Sequence, residues 1–401
     1  MSGSTDIDPW MDIYPSYRVL VGGKTPRDAG VYRRLQYLVA CWRSAFDSPS
    51  QSPPVPVFQV PELRIALPSE GALATSATDL LRNAGLRVNR SSSRTYTAAI
   101  PSVDGVEALF QRASDITGLI DRAVAHIGIV GFDQFEEEHD EDGDTIVLIP
   151  DLKFGGAELV LAVPDEWTSV TTIEGLAGKA AEIEKDGRVL RVATKYPRLV
   201  GRYMAEHGIT YEPVDAKGGL EARPEIGDAD MIADITASGT TLRQNRLRRL
   251  DDPPVLKSSA VLIGNLTSLK RDDVGLEPVR KILELLESRV AAQDFQWVIA
   301  NIEGESAEAV AGRVNSEPLY SGLQGPTVAP VFSKTGGSWF SVQVVVPKND
   351  LLNAIDYMRK LGASGITVNE PAYVFETPCA AYAALRKKIG RPLEPNGSAK
   401  G

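Results

Sequence analysis

Cysteine and histidine are scarce in this chain of 401 residues: Cys41 and Cys379 are its two cysteines, and His126, His139 and His207 its three histidines. Two cysteines are too few for a disulfide framework or a thiolate metal site, and a reducing, cytoplasmic setting is the simplest reading. No histidine stands at metal-ligand spacing from a second ligand, so no protein metal ligand is assigned. Neither a Ser-His-Asp nor a Cys-His signature is present. Basic charge is not in surplus either. With 43 Lys and Arg against 53 Asp and Glu, the formal net charge is −10, which argues against nonspecific binding to nucleic acid or a membrane surface. No apolar run approaches membrane-spanning length, and the start "MSGSTDIDPW" lacks a signal peptide's basic-then-apolar order. Any anionic ligand must therefore be held by local arrangements such as helix N-termini, not by a global field.

What is present is a soluble composition, 43% hydrophobic and 24% charged, in a chain too long for one ordinary domain. Residues 1–60 end in the Ser/Pro-rich "SPSQSPPVPVFQVP", which reads as a linker after one helix in "VYRRLQYLVACWRSAF". From Leu63 strands and helices alternate. "LRIALP" reads as a buried strand, and "ALATSATDLLRNAG" as a helix with Leu73, Ala77, Leu80 and Leu81 on one face and Gly85 as its stop. "RASDITGLI" continues as a helix with Ser114 or Asp115 as N-cap. In "LRVATKYPRLVGRYMAEHG", Pro197 suits the first position of a helix. This alternation predicts α/β architecture with largely parallel sheets. The last zone reads strand, short helix near Ala307–Val314, strand, helix, strand, which suits a ferredoxin-like α+β module. The tail "RPLEPNGSAKG" reads as disordered.

The richest stretch is "DADMIADITASGTTLRQN". Alternation puts Asp230, Ile232 and Asp234 on one face of a strand. The hydroxyls and glycine that follow, Thr236, Ala237, Ser238, Gly239, Thr240 and Thr241, could cup a phosphate with side chains and backbone N–H groups, helped by a helix starting near Leu242. Two acids beside a phosphate cup suit a sugar phosphate. An ordinary strand-to-helix turn is the alternative. "FEEEHDEDGD" around His139 lacks the spacing of an EF-hand and reads as a solvated loop, with a divalent-cation site as the alternative. "GIVGFD" lacks the G-x-G-x-x-G spacing of a dinucleotide fingerprint. Asp133 within it suits either a site or a turn.

Acid-x-x-x-S/T-G-x-T after a hydrophobic strand resembles the phosphoribosyl-pyrophosphate loop of phosphoribosyltransferases. "LRIALP", "RASDI", "IGIVGFD", "LKFGG", "RVATKYP", "GGLEARPEIGDADMIAD" and "SGTTL" together resemble ATP phosphoribosyltransferase, in order and at similar spacing, and "GPTVAPVF" with "LGASGITV" resembles the regulatory domain of its long form. The resemblance implies a two-lobed catalytic unit like a type 2 periplasmic binding protein, with lobe I at 61–155 and 257–288 and lobe II at 156–256. It further implies an ACT-like regulatory domain at 289–378 and a tail at 379–401. The implied reaction joins N1 of ATP to the C1 of phosphoribosyl pyrophosphate and releases pyrophosphate, with Mg²⁺, the first step of histidine biosynthesis. Histidine would act as effector, and the protein would form a homo-oligomer, dimer or hexamer. By the same resemblance Asp230 and Asp234 face the ribose and residues 236–241 hold the 5-phosphate. Glu221, in "GGLE", joins them, and Arg94, in "SSRTY", stands near the pyrophosphate. Asp115, Tyr196, Glu70 and Gly71 are also expected against substrate.

Three departures stand out. Glu70-Gly71-Ala72 occupies the place of a Lys-Gly-Arg or Lys-Gly-Ala, His126 replaces an Asp, and Asp228 adds a negative charge. They leave open a phosphoribosyltransferase with a different base acceptor, or a noncatalytic regulatory paralogue of the same fold.

Overall fold

The segment LRIALP is apolar on both faces, and in the computed structural model it forms strand β1 (Leu63–Pro68), with Leu63, Ile65, Ala66 and Leu67 all buried. The structure describes residues 62–393 apart from 93, 216, 217, 272 and 335. The linker and helix expected before residue 61, and the end of the tail, lie outside the described residues. Helix α1 (Gly71–Asn83) follows β1 and buries Ala77, Leu80 and Leu81. Gly85, with φ at +75°, stops it in the left-handed conformation that glycine adopts without strain. Next come β2 (Thr97–Ala99), β3 (Val106–Gln111), α2 (Ala113–Asp121), β4 (Ile127–Gly131), α3 (Phe132–Glu138) and β5 (Thr145–Ile149). The N-cap of α2 is Arg112, not Ser114 or Asp115; both of these lie within its first turn, where the Ser114 hydroxyl bonds Asp115 Oδ1.

The chain then crosses into a second sheet through β6 (Ala157–Pro164), α4 (Ile173–Lys185), β7 (Leu190–Thr194), α5 (Pro197–Glu206) and β8 (Tyr211–Asp215). A 3₁₀ turn (Leu220–Ala222), β9 (Met231–Thr236), α6 (Thr240–Gln244), β10 (Leu247–Arg249) and β11 (Leu256–Ser258) complete that sheet. Strand β12 (Ala260–Asn265) returns to the first sheet, followed by α7 (Leu266–Leu269) and the long α8 (Asp273–Ala292). A four-stranded sheet closes the chain: β13 (Phe295–Glu303), α9 (Ala307–Val314), β14 (Thr327–Val331), β15 (Trp339–Pro347), α10 (Leu351–Lys360) and β16 (Ser364–Asn369). Helix α11 (Ala380–Lys388), read from sequence as tail, instead packs Ala381, Tyr382 and Leu385 into the core of the first sheet.

The first sheet has the order β2-β3-β1-β4-β12-β5, and the second β10-β6-β9-β7-β8 with β11 beside β6. Only β3, β1 and β4 in the first, and β9, β7 and β8 in the second, run parallel. The expectation of largely parallel sheets is thus corrected to mixed ones. The strands that carry the chain between the sheets, β6 and β12, enter antiparallel to their neighbours. The third sheet, β14-β15-β13-β16, is wholly antiparallel. Its β14 has no counterpart in the expected element order: TVAPV contains Pro330, which a sheet tolerates at an edge. No helix among the described residues is long and apolar enough to cross a membrane.

Candidate functional site

Parallel strands deliver their following loops to one edge, so the segments after β1, β3 and β4, and those after β7, β8 and β9, gather at two carboxyl edges. Contacts of α3 with α5 join these edges.

Strand β9 packs Met231 and Ala233 into one core and Ile232 into another. Where it leaves both cores, Asp234 accepts the N–H of Ile235 at 2.9 Å. Burial pushes its carboxyl above the ordinary range; Glu221 and Asp133 push the same way, while the backbone hydrogen bond and Lys195 oppose them. Glu221, in the 3₁₀ turn, and Asp133, at the start of α3, are thereby placed within electrostatic reach of Asp234.

Past Asp234 the chain makes a hydroxyl-lined turn. Thr236 Oγ1 accepts from Gly239 N at 2.8 Å, and the hydroxyls of Ser238 and Thr240 lie 2.9 Å apart. Gly239 holds φ at +67° before α6, which starts at Thr240, two residues earlier than the sequence suggested. Ala237, Ser238, Thr240 and Thr241 are exposed. Arg243, which sequence reasoning missed, donates from Nη1 to Ser238 O at 3.2 Å and from Nη2 to Thr240 Oγ1 at 3.2 Å. The available signal was its position three residues after Thr240, one helical turn along the same face. A cavity of about 270 Å³ is lined by Thr236, Ser238, Gly239, Arg243, Arg248 and their neighbours. Cation, hydroxyls and N–H groups there suit an anion.

Several expected residues stand elsewhere. Asp230 shares the face of Asp234 but lies at the opposite end of the strand, about 13 Å away at ~3.3 Å per residue. It accepts from Arg191 N at 2.8 Å and Nη2 at 3.0 Å, and Arg188 is 3.6 Å away. Those partners hold its carboxyl below the ordinary range against the effect of burial. Asp230, expected from sequence beside Asp234 at the ribose, thus already has two arginine partners at the far end of the strand from the hydroxyl turn. Tyr196 is buried, and its hydroxyl donates to Asp133 Oδ2 at 2.7 Å. Burial and Asp133 push that phenol well above its ordinary range. His126, counted among the departures, precedes β4 at its amino end, where Nδ1 accepts from Arg64 N at 2.8 Å. It says nothing about the acceptor.

Glu70 is the exposed N-cap of α1, with no capping hydrogen bond, followed by Gly71 at φ +80°. Arg94 is exposed on the turn before β2, beside the carboxyl end of β3, as Phe110 N bonds Tyr96 O at 2.7 Å. Asp115 is exposed in the first turn of α2; partial burial pushes Glu138 up to about 7, and the charges of Asp115, Glu137, Asp133 and Asp121 push it the same way. The helix starts at these edges share a property. Glu70 stands at α1, Asp115 at α2, Asp133 at α3 and Glu221 at the 3₁₀ turn, while α6 has no acid in its first turn. At α5 the N–H groups of Arg198 and Leu199 are taken by Glu137. Among the described residues, no group of three or more His, Cys, Asp or Glu side chains is placed to hold a metal ion.

The family model described as "ATP phosphoribosyltransferase" matches residues 112–288, and "HisG, C-terminal domain" matches residues 292–370. "ATP phosphoribosyltransferase 1, chloroplastic" of Arabidopsis thaliana is 35% identical over 350 residues, covering 86% of this chain and 85% of that protein. "ATP phosphoribosyltransferase" of Rhodopseudomonas palustris (strain BisB18) is 31% identical over 324 residues, covering 80% and 96%. Among solved structures, "ATP phosphoribosyl transferase (HisG:HisZ) complex from Thermotoga maritima" aligns with a TM-score of 0.43 at 25% identity, over 56% of this chain and 96% of that one.

Proposed function

This chain belongs to the ATP phosphoribosyltransferase family, and from that premise we propose how its own residues divide the work of the transfer. The reaction moves the phosphoribosyl group of phosphoribosyl pyrophosphate to N1 of ATP, releases pyrophosphate and opens histidine biosynthesis. A sugar that loses pyrophosphate passes through an oxocarbenium-like state. Catalysis then rests on orienting two polyanions and on placing charge where it develops.

In the proposed arrangement the donor's 5-phosphate occupies the turn from Thr236 to Thr241, and the ribose lies against Asp234 with Glu221 nearby. Arg94 reaches toward the departing pyrophosphate from the first sheet. One observation carries this reading: of the helix starts at the two carboxyl edges, that of α6 presents hydroxyls, N–H groups and Arg243 with no acid in its first turn. Elsewhere on those edges a carboxylate would repel the phosphate. The described acids do not fit a resident ion, since they form no group of three. Mg²⁺ is therefore proposed to enter as the substrates' own chelate.

The two mixed sheets are proposed as lobes of a unit like a type 2 periplasmic binding protein, with lobe II ending at Ser258, the last residue of β11. The antiparallel sheet is proposed as an ACT-like, ferredoxin-like module at 289–378 that binds histidine as effector within a homo-oligomer. Two cysteines in the chain, with Cys379 free and buried, suit a reducing compartment such as the cytoplasm. A second reading, a different base acceptor, keeps Glu70 as its support.

Incubation with phosphoribosyl pyrophosphate, Mg²⁺ and either ATP or a panel of other bases tests the assignment by pyrophosphate release. Release with ATP and formation of phosphoribosyl-ATP is the expected result. Release with another base alone would replace ATP as acceptor.

A further inference from the structure

Helix α5 lacks a cap of its own. Its N-cap residue, Tyr196, makes no capping hydrogen bond through its side chain, although the first N–H groups of any helix need partners. Those partners come from the other sheet. Glu137 Oε1 accepts from Arg198 N at 2.8 Å and Oε2 from Leu199 N at 3.0 Å, across about sixty residues of chain. One carboxylate thus fills the second and third N–H positions of a ten-residue helix.

Beside it, Asp133 bridges three elements. Its Oδ1 accepts from the Ser258 hydroxyl at 2.6 Å, its Oδ2 from the Tyr196 hydroxyl at 2.7 Å, and its N–H donates to Ser258 Oγ at 3.0 Å. Ser258 is the last residue of β11, immediately before the chain crosses back to β12. Asp133 therefore ties the start of α3 to the crossing and to the residue that opens α5. Thr194 Oγ1, accepting Tyr196 N at 3.0 Å, fixes the far end of this tie. Further bonds follow the same line: Arg198 Nη1 donates to His139 O at 3.1 Å, and Arg202 lies 3.8 Å from Glu136.

We infer that Glu137 and Asp133 are positioning residues, a clasp that holds the carboxyl edge of β7 and β9 at a set separation from that of β1, β3 and β4. The inference rests on the site reading above, in which donor phosphate binds one edge and Arg94 acts from the other. A sugar donor held on one body is activated only if the cation that takes up the charge of its departing pyrophosphate, held on the other, sits at the right separation, and misplacement by about 1 Å can cost on the order of a hundredfold. The turn at 236–241 lies wholly within the second sheet's segment, so the clasp should govern turnover rather than donor affinity.

Glu137→Gln keeps the size of the side chain but replaces one acceptor oxygen by a donor. Expected are amide exchange at Arg198 and Leu199 faster by about tenfold, kcat lower by about tenfold, and calorimetric affinity for phosphoribosyl pyrophosphate within about twofold of the unmodified protein. Tyr196→Phe, which frees Asp133 Oδ2 and leaves the Glu137 cap in place, should lower kcat in the same direction at unchanged donor affinity, and supplies the kcat test of the clasp if Glu137→Gln does not fold. Faster exchange with unchanged kcat would reduce the clasp to a structural cap, and unchanged exchange would remove the cap itself; either overturns the inference. Absence of donor binding in the unmodified protein would instead defeat the site reading, and the exchange result still decides whether Glu137 caps α5.

Discussion

Nε2 of His126 lies 2.6 Å from Nη2 of Arg271, while its Nδ1 accepts the backbone N–H of Arg64 at 2.8 Å. Donors thus face both ring nitrogens, and protonation would set two N–H groups against them. Partial burial, with Arg271 and Arg64 adding their charge, lowers the imidazole from 6.5 to about 4. A depressed pKa contributes stability that is complete above about 6.5 and lost as pH falls through about 4. Full burial would make this roughly 3 kcal/mol, and solvent screening at a partly exposed ring reduces it to about 1–2 kcal/mol. Urea unfolding at pH 7 and pH 4.5 should show that loss, and His126→Asn should flatten it. An equal acid slope in the variant would count against His126 as its source.

The turn after β9 should be intolerant of a side chain at its glycine. A Cβ on Gly239 would sit 3.2 Å from Arg243 Nη1, and φ of +67° is unfavourable for alanine by about 1–2 kcal/mol. Gly239→Ala and Asp234→Asn are each expected to weaken binding of phosphoribosyl pyrophosphate by roughly ten- to a hundredfold. Calorimetry on the folded variants checks this, and undiminished affinity in both would move the donor elsewhere.

Glu70 should hinder the entry of ATP. It is exposed at the start of α1, so water screens it, and repulsion at ~4 Å is about 1 kcal/mol. Glu70→Lys is expected to lower KM for ATP by roughly fivefold at low salt, with the gain shrinking as salt rises. A KM that does not move would show that Glu70 faces away from the nucleotide.

Arg246 carries a backbone cost. Its φ is +55°, and its exposed side chain leaves little packing to lose. Left-handed backbone costs an ordinary residue about 1–2 kcal/mol, and the extra freedom of an unfolded glycine returns roughly half of that. Arg246→Gly should therefore stabilise the protein by about 0.5 kcal/mol, seen as a slightly higher Tm at unchanged donor affinity. A lower Tm would mean that the arginine side chain does more than its exposure indicates.

Histidine should bind the full-length protein with measurable heat at millimolar concentration and shift substrate affinity, because coupling between two sites is reciprocal. Loss of that shift on deletion of residues 293–370, which spares α11 in the core of the first sheet, in a protein that still binds donor, would locate the effector in the antiparallel module. A full-length protein with no heat of binding would leave that module a packing element.

Local rules made much of this protein legible from its sequence. Proline at the first position of α5, glycine at φ +75° after α1, the alternation through β9 and the hydroxyl turn after it depend on neighbours within a few residues. Partners distant in sequence could not be read that way. Asp230 and Asp234 share a strand face, yet the register of β7 beside β9 gives Asp230 to Arg191, 39 residues away. Docking of α3 on α5 gives Tyr196 to Asp133, 63 residues away. The direct crossings between the sheets send β6 and β12 in antiparallel, which strand-helix alternation did not foretell. Sequence determined which segments could present a phosphate cup and acids; only tertiary structure decided which acids stay free, because a carboxylate's availability depends on the charge folded against it.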